Sequence, residues 1–132
     1  MSTEPADTGL RRINNRSKAA AVLGTLAAFG VGFLAIGEIQ FVSVAAIAVG
    51  IGVRFGSIWV GTRVVAGVAS SDISEEATAG PYHHGAAGIA LAVGGVVALV
   101  GRFVGGDVTL VAVVATIVVV GGFLLLSRLL PE

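Results

Sequence analysis

The feature that most constrains this chain is a polar break with almost no length. A long hydrophobic run closes on Glu38 and Gln40, and another opens at once, across the stretch GEIQFVSVAAIAVGIG from Gly37 to Gly52. Two apolar segments of spanning length that meet at so short a break have one economical solution, a tight hairpin between two membrane-crossing helices. A similar stretch, GDVTLVAVVATIVVVG, runs from Gly106 to Gly121, so the chain reads as two hairpins in series with a polar linker between them.

The hairpin reading predicts an all-α polytopic membrane protein: a bundle of four transmembrane helices with spans at about 19-37, 41-66, 86-104 and 108-128. Each run approaches or exceeds the roughly 20 residues needed to cross about 30 Å of hydrocarbon. A β-barrel is excluded by the pattern, because the runs are continuous and a barrel strand alternates apolar with polar over about ten residues. In lipid the backbone must satisfy its own hydrogen bonds, which leaves helices. The valines of the fourth run do not oppose this, since their β preference reflects packing on a pleated surface. Composition agrees: 55% of residues are hydrophobic, 12% are charged, and the mean hydropathy is +0.97. With no cysteine, neither a disulfide framework nor a thiolate metal site can form.

Residues 1-18 carry Glu4, Asp7, Arg11, Arg12, Arg16 and Lys18 without apolar periodicity, and they read as a solvated, disordered basic tail. Read as a cleaved signal peptide, the first run would be long for an h-region, and it ends Ala35-Ile36-Gly37 instead of in an A-x-A site. The polar linker at 70-85 holds Asp72, Glu75, Glu76, Pro81, His83 and His84, with one short amphipathic turn expected over 71-79. Orientation follows from the basic residues. With the N-terminus inside, Arg11, Arg12, Arg16, Lys18, Arg54, Arg63 and Arg128 fall on the inner side and only Arg102 on the outer. That bias predicts cytoplasmic N- and C-termini, with both tight turns facing outward.

Setting Gly37 on Gly106 pairs Glu38 with Asp107 and makes Gly37, Val42, Val44, Ala46, Val49 and Gly52 identical to their counterparts. Such a repeat would be parallel, unlike the inverted repeats of many transporters.

Few residues could carry chemistry. Arg102, just inside Gly105-Gly106-Asp107, faces an outer surface whose other charges are Glu38 and Asp107. It is expected to pair with one or both, as a local clamp on the hairpin or as a gate for anions. Arg54 is the deepest charge, about 22 Å along a helix starting near Ile39, within snorkelling reach of the far surface. No acidic residue lies within any span, which argues against a proton relay. His83 and His84 beside the linker carboxylates could suggest a metal site or pH switch, but adjacent histidines diverge, and a solvated loop is the expectation. There is no H-E-x-x-H, Walker A, G-x-S-x-G or dinucleotide fingerprint, so no cofactor, metal or catalytic residue is assigned. Trp59 is expected at the interface.

Small residues are the clearest signal for packing. Gly52 and Gly56, Gly94 and Ala98, and Gly101 and Gly105 lie four apart, placing small faces where helix backbones can approach closely. They suit packing within one bundle first, with enough left for a homo- or hetero-oligomeric face. Two families of small four-helix proteins do not fit. Small multidrug transporters use a membrane-embedded glutamate in the first helix, whereas Glu38 is at that helix's end; fluoride channels carry polar pore motifs, and no span here contains asparagine. The resulting expectation is a non-enzymatic structural or accessory subunit of a larger membrane assembly or lipid-containing particle. A small homo-oligomeric channel or transporter is the rival. The expected partners are the lipid bilayer and other helices, with no basic field for nucleic acid.

Overall fold

The computed structural model describes residues 4–66 and 83–131, and among these every regular element is helical. Helix α1 is Glu4–Ile36, α2 is Ile39–Val60 and continues as a π-helical stretch over Gly61–Ala66, α3 is His84–Phe103 and α4 is Val108–Leu129. Among the described residues these four helices are long and apolar enough to cross a membrane. The amphipathic turn expected over 71-79, and most of the polar linker with it, lies outside the described residues.

Both tight turns use the same device. At each one a glycine adopts a left-handed conformation, Gly37 with φ of 79° and Gly105 with φ of 89°, which a side chain would make costly. The Gly37 N–H donates to Phe33 O at 2.9 Å. After α3, the Gly105 and Gly106 N–H groups donate to Arg102 O and Gly101 O at 3.1 and 2.9 Å, the paired bonds that close a helix C-terminus on glycine.

The helices pack antiparallel in chain order, α1 on α2, α2 on α3 and α3 on α4, with α1 also reaching α3. The middle pair forms the core. Most fully buried residues lie in α2 and α3, and few lie in α1 and α4, whose side chains are mainly half-buried or exposed. The core is built of small residues: Ala45, Ala46, Ala86, Ala90 and Ala98 are buried, with Val42, Ile58 and Val111 the larger members. Apolar side chains gain little by leaving lipid for each other, so close backbone approach and dispersion must hold such a core.

Two expectations are corrected here. The basic tail is not an irregular segment, because α1 begins at Glu4. Once a spanning helix exists, adding residues avoids the nucleation cost, and Ile13 and Ser17, one turn apart, are buried, Ile13 against Gly61. Gly105 is a turn glycine and takes no part in helix packing: a Cβ there would meet nothing within 4 Å, and its left-handed φ is what the position requires.

Candidate functional site

The polar groups of the described residues gather at the two ends of the helices. Between the ends, hydroxyls are turned back onto their own backbone. Thr25 donates to Ala21 O, Ser43 to Ile39 O, Ser57 to Val53 O, Thr62 to Ile58 O and Thr116 to Ala112 O, at 2.6 to 2.9 Å. This retires each hydroxyl's proton in a medium that offers no water.

At the turn end, Arg102 leaves the last turn of α3 and grips Glu38 at the start of α2. Its Nε donates to Oε2 at 3.1 Å and its Nη2 to Oε1, while Nη1 donates to Gly106 O at 2.9 Å. Two hairpin turns are thereby tied by one forked, charge-assisted contact. Glu38 occupies the N-cap position of α2, yet its side chain caps nothing, because Arg102 takes it. Asp107, the other carboxylate within sequence reach of Arg102, serves α4 instead: Oδ1 accepts from the N–H groups of Thr109 and Leu110 at 3.0 and 3.1 Å. A carboxylate there also complements the helix macrodipole.

At the opposite end, the histidines depart from the solvated-loop expectation. His83 is 6% exposed and His84 is fully buried. His83 caps α3: its Nδ1 accepts from Ala86 N–H at 3.2 Å, and its Nε2 lies 2.8 Å from Leu130 O. A carbonyl can only accept and Nδ1 is already an acceptor, so these contacts select the neutral ring with its hydrogen on Nε2. One ring thus joins the start of α3 to the end of α4. Trp59 does the same from α2, its Nε1 donating to Pro131 O at 3.0 Å. His84 meets Phe55 edge to face, with centroids 5.5 Å apart, and the Arg63 guanidinium carbon stands 6.0 Å from the centre of the Trp59 ring. Arg54 is half-buried on α2, one residue before Phe55. Among the described residues no group of three or more His, Asp or Glu is placed to hold a metal ion.

The packing glycines separate by position. A Cβ on Gly52 would lie 2.5 Å from Ala92 N and 2.7 Å from Gly88 O, so α2 and α3 touch there through their backbones. Gly94 lies against Val119 of α4, and Gly101 leaves 3.2 Å for a Cβ beside Val111. A Cβ on Gly56 would meet nothing within 4 Å; that position faces a shallow notch of about 520 Å³ shared with Gly88 and Ala92.

A larger groove, about 840 Å³, lies between α2, α3 and α4 and opens at Glu38 and Gln40. Sequence reading did not find it. The signal was present as alanines at 45, 48, 98, 112 and 115, but which helices face one another at that depth is not written in their spacing. The His83 cap was legible in principle, as a capping side chain just before an apolar run, yet Asn, Asp, Ser and Thr are the residues that usually signal one.

Compared with protein-family models, with curated proteins and with solved structures, the chain has no match in any of the three.

Proposed function

We propose that this chain is a non-enzymatic integral membrane protein that serves as a structural or accessory subunit of a larger membrane assembly. The observation that carries this reading is the distribution of burial. Helices α1 and α4 are long and apolar enough to span, yet few of their residues are buried by the chain itself, and large apolar side chains such as Leu23, Leu34, Ile117 and Leu129 remain exposed. Between the polar ends, the described part of the core is alanine, glycine and valine with its hydroxyls back-bonded, an arrangement suited to packing and poor for conducting a solute. The notch at Gly56, Gly88 and Ala92 offers close approach to a helix from a second chain, homologous or not. The excess of basic residues at the end that holds both termini supports a cytoplasmic location for them, with the Glu38–Arg102 clamp on the outer side.

The test is gentle extraction from the native membrane, followed by sizing and mass spectrometry of everything that travels with the chain. Stoichiometric recovery with larger partners is the expected result. Recovery as a self-contained homo-oligomer that passes ions or small solutes in reconstituted vesicles, and loses flux when Arg54 or Arg102 is replaced, would overturn it for the channel or transporter reading.

A further inference from the structure

The groove between α2, α3 and α4 has dimensions and polarity that suit one class of ligand. It runs inward from Glu38 and Val108 to Ala48, Gly94 and Val119. The ten residues from Glu38 to Ala48 rise about 15 Å, half of the roughly 30 Å hydrocarbon core. The groove therefore has the depth of one leaflet. It exists because Ala45, Ala98 and Ala115 present methyl groups where longer side chains would fill the space. Thr116, the hydroxyl in its wall, donates to Ala112 O at 2.8 Å, which leaves the interior apolar in character.

The mouth has a different chemistry. Glu38 lines it, and exposed Asp107 precedes Val108 at its rim, two carboxylates against the single guanidinium of Arg102. That guanidinium is already committed to Glu38 and to Gly106 O. The balance of these three side chains is −1 (+1 − 2), and the Glu38 side chain remains 41% exposed.

We propose that this groove binds a lipid-like amphiphile whose alkyl chain lies along it and whose cationic amine head sits at the Glu38–Asp107 mouth. The fit rests on the depth of one leaflet and on the sign of the charge. A neutral or anionic head of the same chain length gains no such partner. The proposal depends on the bilayer-embedded reading and is independent of membership in a larger assembly.

The test uses the full chain in phosphatidylcholine nanodiscs and a dodecylamine carrying a diazirine near its chain end, with mapping of the crosslinked residues. Expected crosslinks fall on Val44, Ala48 and Val119, and excess dodecylamine suppresses them while dodecanol does not. Asp107→Asn keeps an N-cap of equal quality and removes one charge, so labelling weakens about two- to fivefold, the scale of an exposed ion pair. Ala112→Phe, at an exposed wall position, blocks the groove and abolishes labelling there. Equal competition by dodecanol, unchanged labelling of Asp107→Asn, or crosslinks spread evenly over the outward residues Leu23, Leu34 and Leu125 would overturn the proposal. Failure of the chain to enter nanodiscs would overturn the bilayer-embedded reading and the proposal together.

Discussion

Replacing Gly88 with alanine should separate two effects that act on any glycine in a helix. The added methyl helps α3 by about 0.5–1 kcal/mol, because alanine loses less backbone entropy on folding. At this position it also meets α2: the new Cβ would stand 2.9 Å from Gly52 O and 2.9 Å from the Gly56 Cα, with Gly56 N closer still. All three are backbone atoms, so no rotamer change relieves the contact, and carbon atoms prefer separations of about 3.5–4.0 Å. The helices must move apart by roughly 1 Å, loosening the neighbouring contacts of Gly95 with Val49 and of Gly85 with the Trp59 ring. Overpacking costs typically 1–3 kcal/mol, and a rigid backbone obstacle places this case near the upper end. The net expectation is a loss of about 2 kcal/mol, the upper overpacking figure less the propensity gain. Gly56→Ala is the internal control. It adds the same methyl to the same interface, at a site where the Cβ meets nothing within 4 Å, so its stability should equal or exceed that of the wild type. Reversible unfolding in mixed micelles, followed by circular dichroism, measures both. A Gly88→Ala protein as stable as Gly56→Ala would refute the claim that backbone contact holds α2 to α3.

Arg102→Leu should cost about 1–2 kcal/mol in the same assay, because the half-exposed pair with Glu38 is screened but the bond to Gly106 O is lost as well; a loss above about 4 kcal/mol would mean that the clamp organises more than the two turns. His83→Ala should cost about 2 kcal/mol, one part for the α3 cap and one for the tie to Leu130 O, and His83→Asn should restore only the cap part. The same loss in His83→Asn and His83→Ala would show that the cap contributes nothing. Because the chain has no cysteine, single cysteines report topology cleanly: Thr109→Cys should react with an impermeant maleimide added outside intact cells, and Asn15→Cys only after lysis. The reverse pattern would invert the orientation.

How much of this was legible in the sequence follows from the range of the forces involved. Helix positions came from apolar runs, and α2, α3 and α4 begin within about two residues of expectation, since lipid forces each backbone segment to satisfy itself locally. The Arg102 to Glu38 contact was within reach because few charges lie near that end. The sequence left Asp107 and Glu38 as equal candidates; the cap on α4 decided between them, because the backbone amides of Thr109 and Leu110 are nearer partners for Asp107.

Other features depended on which helix lies beside which. Gly52 and Gly56 have the same residue type four positions apart, yet a methyl would clash at the first and meet open space at the second, because only one points at the Gly88 turn of α3. His83 and His84 sat in a polar stretch and were expected in water; the return of α4 to the same end put a carbonyl beside one ring, and α2 put Phe55 beside the other. The groove is purely a tertiary product. Each alanine that lines it is unremarkable in its own helix, and the space appears only where three helices splay around residues too small to fill it. By itself the sequence determined the number and apolarity of the spanning segments, since lipid imposes those on each segment separately, while the extension of α1 back to Glu4 did not show in its apolar pattern. Lateral order and rotation of the helices, which set every contact between distant residues, were decided only by tertiary packing.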